Sequence, residues 1–137
     1  MTEEIRGLDH VSLPIQHVAE MVAFYRGLGL DVVEGRVLVT VHAGAQMVNF
    51  HRPELWTRTD FTLRAPAAQP PCGDLCFVWE GTVDGARARI EALGAEIEEG
   101  PVARDGGRRA KGTSVYTRDP DGNLVELLTY DGGPTDG

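Results

Sequence analysis

Two cysteines, Cys72 and Cys76, are too few and too closely spaced for a disulfide framework, which argues against a small cross-linked secreted fold and suits a reducing compartment. Positive charge is scarce as well. Against 21 Asp and Glu there are 13 Lys and Arg, a formal net charge of -8, and no basic run is long enough to track a phosphate backbone. Nucleic acid and anionic membranes are therefore not expected partners. No apolar stretch approaches the roughly 20 residues that span a bilayer, and Met1-Thr-Glu-Glu-Ile-Arg6 has acids where a secretory signal has an apolar core. A cytoplasmic protein is expected. What the chain does have, 42% hydrophobic residues in a length of 137, is enough for a single domain with its own core over residues 1–137.

Hydrophobic periodicity divides that domain into two similar halves. From Gly7 to Pro14 the residues alternate, with Val11, Leu13 and Ile15 on one parity and His10, Ser12 and Pro14 on the other. The period then changes. Val18, Met21, Val22, Tyr25 and Leu28 make one helical stripe that Gly27 and Gly29 end, and strands are expected near 30–33, 37–42 and 46–51. The segment 52–72, rich in proline, reads as a linker too irregular for a helix, although Leu55, Trp56, Phe61 and Leu63 suggest that it packs on something. After it the pattern returns: a strand over 74–79, a helical stripe of Val83, Ala86, Ile90 and Leu93 ending at Gly94, then strands near 95–98, 113–118 and 124–129. The basic, glycine-rich stretch 104–112 reads as a mobile loop that lies over a pocket.

Laid helix stop on helix stop, Gly94 against Gly29 gives an offset of 65, and Asp74 against His10 gives 64. A β-α-β-β-β unit is thus present twice, about residues 7–51 and 73–130, and two units that each bury one sheet face are expected to pair. The fold class is α+β: two paired βαβββ modules forming a curved sheet cup with helices outside. By parity His10 and Asp74 line the concave surface, the natural pocket.

Glu126 is the residue the apolar pattern does not explain. Asp119-Pro-Asp-Gly122 is turn chemistry at a hairpin tip, and the following strand places Glu126 between Val125 and Leu127. A carboxylate there requires a partner, since an unpaired buried charge costs several kcal/mol. Solvent at a sheet edge, an arginine or a bound cation would each serve.

The paired units, the opening Leu8-Asp-His-Val11, the helix end Phe24-Tyr-Arg-Gly-Leu-Gly-Leu30 and the closing Asp119-Pro-Asp-Gly-Asn-Leu-Val-Glu126 resemble the vicinal oxygen chelate superfamily, which includes glyoxalase I, fosfomycin-resistance enzymes, extradiol dioxygenases and metal-free bleomycin-binding proteins. Val48-Asn-Phe-His51, Gly73-Asp-Leu-Cys-Phe77 and Ser114-Val-Tyr-Thr-Arg-Asp119 are similar to its small glyoxalase-like virulence-protein branch. The resemblance implies metal ligands at His10 and Glu126, with a further one at Asn49 or His51, of which His51 is preferred as the better transition-metal ligand. Where many members carry histidine this chain has Asp74, implying a carboxylate ligand, an outer-shell acceptor or a catalytic base. Tyr116 is a candidate hydrogen-bond donor to substrate.

A divalent Zn, Ni, Mn, Co or Fe(II) ion bound by His10, His51 and Glu126 is then expected to chelate adjacent substrate oxygens, with Asp74, Glu126 and Tyr116 as the catalytic groups. The leading expectation is a glyoxalase-like lyase or isomerase acting on a small molecule. A thiol transferase, epoxide hydrolase or ring-cleaving dioxygenase is the enzymatic alternative, and a metal-free drug or metabolite binder the non-enzymatic one. Family members of this size commonly form homodimers whose sites draw on both chains. Cys72 and Cys76 read as small apolar fillers, His17 and His42 as surface residues, and Arg108, Arg109 and Lys111 as a solvated loop, with a grip on an anionic substrate as the alternative.

Overall fold

A computed structural model describes residues 2–130. The elements run β1 (His10–Pro14), α1 (Val18–Gly27), β2 (Asp31–Glu34), β3 (Leu38–Ala43), β4 (Gln46–His51), α2 (Pro53–Trp56), β5 (Asp74–Val78), α3 (Val83–Ala92), β6 (Glu99–Asp105), β7 (Lys111–Arg118) and β8 (Leu124–Thr129). The β-α-β-β-β unit is present twice, as the repeat required. Each unit is a four-stranded mixed sheet, ordered β1-β4-β3-β2 and β5-β8-β7-β6, in which the first strand lies parallel to the last and the other pairs are antiparallel. The sheets do not close into a barrel.

Strand alternation sends Val39, Val41, Val48 and Phe50 of one unit, and Val115, Val125 and Leu127 of the other, to the helix side. There they meet Met21, Val22, Phe24 and Tyr25 of α1 and Val83, Ala86 and Ile90 of α3 in one cluster shared by both units. Full burial of side chains this size stabilises by about 1.5–3 kcal/mol each, so this shared cluster is the principal force joining the halves. The helices also touch directly, with Arg89 donating to the Leu28 carbonyl at 2.9 Å. Gly27 sits against Leu93, where a Cβ would collide.

The Asp119–Gly122 turn does more than reverse the chain. The Asp119 carboxylate, 4% exposed, accepts from the backbone N–H groups of Asp121, Gly122 and Asn123, from Asn123 Nδ2, and across the unit boundary from the Tyr25 hydroxyl at 2.6 Å. Two residues on, Asp121 accepts from the Gln16 and His17 N–H groups and from His17 Nδ1. α1 has no cap of its own from the His17 side chain, so the second unit caps the first unit's helix. Asp121→Ala is expected to lower unfolding free energy by about 1–2 kcal/mol, read as a lower urea midpoint at unchanged m-value. His17 is exposed as expected, but fixed by this contact rather than free.

Four expectations are corrected. Pro53–Trp56 is helical, because proline at the first helical position has its φ preset and no N–H to lose; the prolines of this linker do not all break structure. The packing expected of the linker holds for Trp56, whose indole N–H donates to the Ile15 carbonyl, and for Phe61, edge-on to His51, but not for Leu63, which is 84% exposed. Residues 95–98 are not a strand. The pairing with β7 starts at Glu99 and shifts register before Val102, and Gly100 sits in that irregularity at φ 109°, so close to β7 that a Cβ would strike the Ser114 carbonyl. β6 instead continues through the stretch read as a loop. Arg104 pairs with Gly112 and Asp105 with Lys111, the latter through a 2.9 Å ion pair, leaving only 106–110 outside the strands.

Candidate active site

The strand faces opposite the helices carry the polar groups. Glu126 lies on β8, an interior strand between β5 and β7, so the edge-strand explanation of its charge fails. Its neighbours across the ladder are Cys76 and Tyr116, and its Oε2 accepts from the Ser114 hydroxyl at 2.6 Å. Ser114 was not anticipated, although it shares strand parity with Tyr116 and an alternation argument reaches it.

Around Glu126 is a cavity of about 260 Å³ lined by Asp74, Glu98, Glu99, Arg104, Tyr116 and Leu124. Arg104 Nε donates to the Tyr116 hydroxyl oxygen at 2.8 Å, and its guanidinium lies 5.4 Å from the centre of that ring. Because the Tyr116 oxygen accepts from Arg104, its own proton remains available to another acceptor. Loss of solvent raises the Tyr116 pKa above the phenol value, a shift the Arg104 bond opposes and the Glu126 charge reinforces. The hydroxyl therefore stays protonated at neutral pH.

His10 opens onto a second cavity of about 260 Å³ between β1 and β5, shared with Asp74 and Cys76. Its Nδ1 contacts the Asp9 carboxylate at 2.8 Å, which leaves Nε2 free, the arrangement in which a carboxylate orients a ligand imidazole. Asp9, inside the alternating run and next to His10, is read from sequence only as part of a motif and not as a site residue. Asp74 lines both cavities.

His51 stands apart from these groups. It is 8% exposed and lines a third cavity of about 490 Å³ with Ser12, Trp56 and Arg64. Burial first, and the nearby Arg64 charge second, lower its pKa below the usual imidazole value. Strand register explains the separation. β1 and β5 begin at His10 and Asp74, which pair with Met47 and Leu124, so two residues on Asn49 and Glu126 hold equivalent places. His51 is equivalent to Leu128. Asn49, 8% exposed, has its Oδ1 held by the Thr40 hydroxyl at 2.7 Å.

A single chain thus brings Asp74, Tyr116 and Glu126 to one cavity, His10 and Asp74 to a second, and His51 to a third. Among the described residues no three His, Cys, Asp or Glu side chains are grouped to hold a metal ion.

Cys76 reports on the charge in this region. Its thiol is pushed up to about 12 by crowding around the sulfur and then by the charges of Glu126 and Asp74, although the residue itself is accessible. Iodoacetamide at pH 8 is expected to leave Cys76 largely unmodified in the parent protein and to alkylate it several-fold faster in Glu126→Gln, measured by peptide mass spectrometry. Equal rates would mean that Glu126 does not bear on the thiol.

The two-unit fold and this placement of polar groups define a class. The sequence profile of the glyoxalase/bleomycin resistance protein/dioxygenase superfamily matches residues 7–127, and the chain belongs to that family. Among relatives, it is 35% identical over 129 residues to the glyoxalase domain-containing protein RDO1 of Mycosarcoma maydis, covering 92% of this chain and 69% of that protein. It is 33% identical over 127 residues to the virulence protein STM3117 of Salmonella typhimurium, covering 90% of this chain and 83% of that one. The crystal structure of STM3117 superposes with a TM-score of 0.81 over 93% of this chain and 99% of that chain at 32% identity. A lactoylglutathione lyase from Agrobacterium tumefaciens superposes with a TM-score of 0.70 over 93% and 96% of the two chains at 28% identity. The expected family and branch are those found. No helix among the described residues is long and apolar enough to cross a membrane.

Proposed function

We propose that the chain is a glyoxalase-like lyase or isomerase that acts on a small molecule with adjacent oxygens, and that its site is completed by a second copy of the chain. The observation that carries this is the split of donors: Glu126 and Asp74 share one cavity and His10 opens onto another, so neither holds a full ligand set. Apposing the first unit of one copy to the second unit of another would add His10 and Asn49 to Asp74 and Glu126. The register supports Asn49 over His51 as the second donor of the first unit, since it is Asn49 that corresponds to Glu126. The donor chemistry fits a divalent Zn, Ni, Mn, Co or Fe(II) ion only in such an assembly. Bound there, the ion would supply Lewis-acid polarisation of the two substrate oxygens.

The chain's own side chains have separable tasks. Tyr116, its oxygen engaged by Arg104, can donate its proton to a substrate oxygen, and the Arg104 charge favours negative charge developing there. Asp74, accessible and within electrostatic reach of Arg118, is placed to move a proton. Ser114 fixes the orientation of Glu126. Two unpaired cysteines support a cytoplasmic setting.

The test joins assembly to metal uptake. Protein stripped of metal and offered Zn, Ni, Mn, Co and Fe(II) in turn is expected to bind close to one ion per chain as a dimer in light scattering. It should then turn over the methylglyoxal-glutathione hemithioacetal; turnover of fosfomycin with a thiol, or of catechol, in its place would favour the transferase or the dioxygenase instead. A dimer that takes up no ion would replace this reading with the metal-free binder; an ion-binding monomer would refute the shared site.

A further inference from the structure

The largest group of unassigned features surrounds the cavity of about 490 Å³ beneath the linker, within the 300–1,000 Å³ typical of small-molecule sites. One part of its wall is cationic. Arg64 donates Nη1 to the Ala68 carbonyl at 3.0 Å, yet its Nε is buried without a hydrogen-bond partner, and among the described residues no carboxylate pairs with it. A buried N–H left unmatched is unfavourable, because the group has given up water and gained no partner in exchange. Beside it, the His51 ring is packed edge-on against Phe61 at 5.1 Å, and its nitrogens have no hydrogen-bond partner among the described residues.

Apart from Ser12 and Cys72, the rest of the wall is apolar. Trp56 commits its indole N–H to the Ile15 carbonyl at 2.8 Å, so it has no donor left to offer the cavity. Leu13 and Pro14 of β1 form a second side, and the alanines 65, 67 and 68 leave the space that larger residues would fill. A pocket with a guanidinium outside any ion pair among the described residues and an imidazole at one side, and mostly carbon surface around the rest, selects an amphiphilic anion. A planar carboxylate suits the guanidinium fork, and a ring or short chain suits the Trp56 side.

We infer that this cavity is a binding site for a small organic carboxylate, its charged end on Arg64 and His51 and its apolar body against Trp56 and Pro14. The inference is independent of the metal reading: it uses neither Glu126 nor a second chain.

Phenylacetate is the probe, 2-phenylethanol its uncharged counterpart and acetate its counterpart without the ring, each titrated into the full-length, metal-free protein and followed by NMR at the Trp56 indole N–H. Phenylacetate is expected to saturate, with both counterparts at least about tenfold weaker, the size of one charged hydrogen bond or one buried ring face. Arg64→Gln should cost about tenfold or more, Arg64→Lys somewhat less because ammonium lacks the planar fork, and Ala67→Leu should block the site while leaving the circular dichroism unchanged. Should Arg64→Gln fail to fold, Ala67→Leu carries the test. Equal binding of the acid and the alcohol, unaltered binding in Ala67→Leu, or no saturable response of the Trp56 signal overturns the inference. Metal uptake measured on the same Ala67→Leu protein stays at the parent level, so failure here and failure of the two-chain metal site are distinguishable.

Discussion

Replacing Asp119 with Ala is expected to lower the unfolding free energy by about 3–5 kcal/mol, the largest single-residue effect the structure supports. The carboxylate collects the N–H groups of Asp121, Gly122 and Asn123, the Asn123 amide and the Tyr25 hydroxyl at a site that is 4% exposed. Alanine would leave most of them unmatched, with the Gly122 N–H keeping its bond to the main-chain carbonyl of residue 119, in a turn and at the boundary between units at once. Tyr25→Phe removes only one of these bonds and is expected to cost about 1–3 kcal/mol. Chemical denaturation measures both; an Asp119→Ala midpoint within experimental scatter of the parent would remove this turn from the set of features joining the halves.

The same group predicts a pH effect. Loss of solvent raises the Asp119 pKa above 3.8, against the opposing pull of the Tyr25 and Asn123 hydrogen bonds. Because the folded carboxyl holds its proton more tightly than the unfolded one, its contribution to stability is fullest below the ordinary value and declines as pH climbs through the raised value. Comparing the parent with Asp119→Asn over that window isolates the contribution, since asparagine does not titrate.

Glu126→Gln is expected to reduce metal affinity and turnover by at least about a hundredfold, beyond the range seen when only the outer partners of a ligand are removed. Ser114→Ala, which leaves the carboxylate in place but frees its orientation, should cost about tenfold. Isothermal titration with the preferred ion, on protein whose thermal midpoint is checked first, separates the two. If Glu126→Gln bound the ion as tightly as the parent, Glu126 would be a buried structural carboxylate and the two-chain site would lose its most constrained member.

The correct readings from sequence rest on local rules. Alternation assigned His10 and Asp74 to the faces opposite the helices, and the glycine stops gave a repeat offset within one residue of the one that equates His10 with Asp74. Those rules fail where structure depends on what lies across a ladder. The 104–112 stretch looks like a loop because of its glycines and charges, but Arg104 on Tyr116 and Lys111 on Asp105 are cross-strand pairs, invisible until the register of β6 and β7 is known. Asp121 capping α1 from 104 residues away is beyond any local rule. The preference for His51 followed ligand chemistry, whereas strand pairing gives the corresponding place to Asn49.

By itself, then, the sequence determined the duplicated unit, the α+β class, the family and the presence of a lone carboxylate on an otherwise apolar strand, all of which follow from period, turn residues and short motifs. Tertiary structure alone decided how those groups are distributed among cavities, which hydroxyl holds Glu126, and that an unpaired arginine lines the space beneath the linker. The reason is physical: side-chain period is written along the chain, but the meeting of two side chains is set by register and by the packing of one unit on the other, and neither is a property of any one segment.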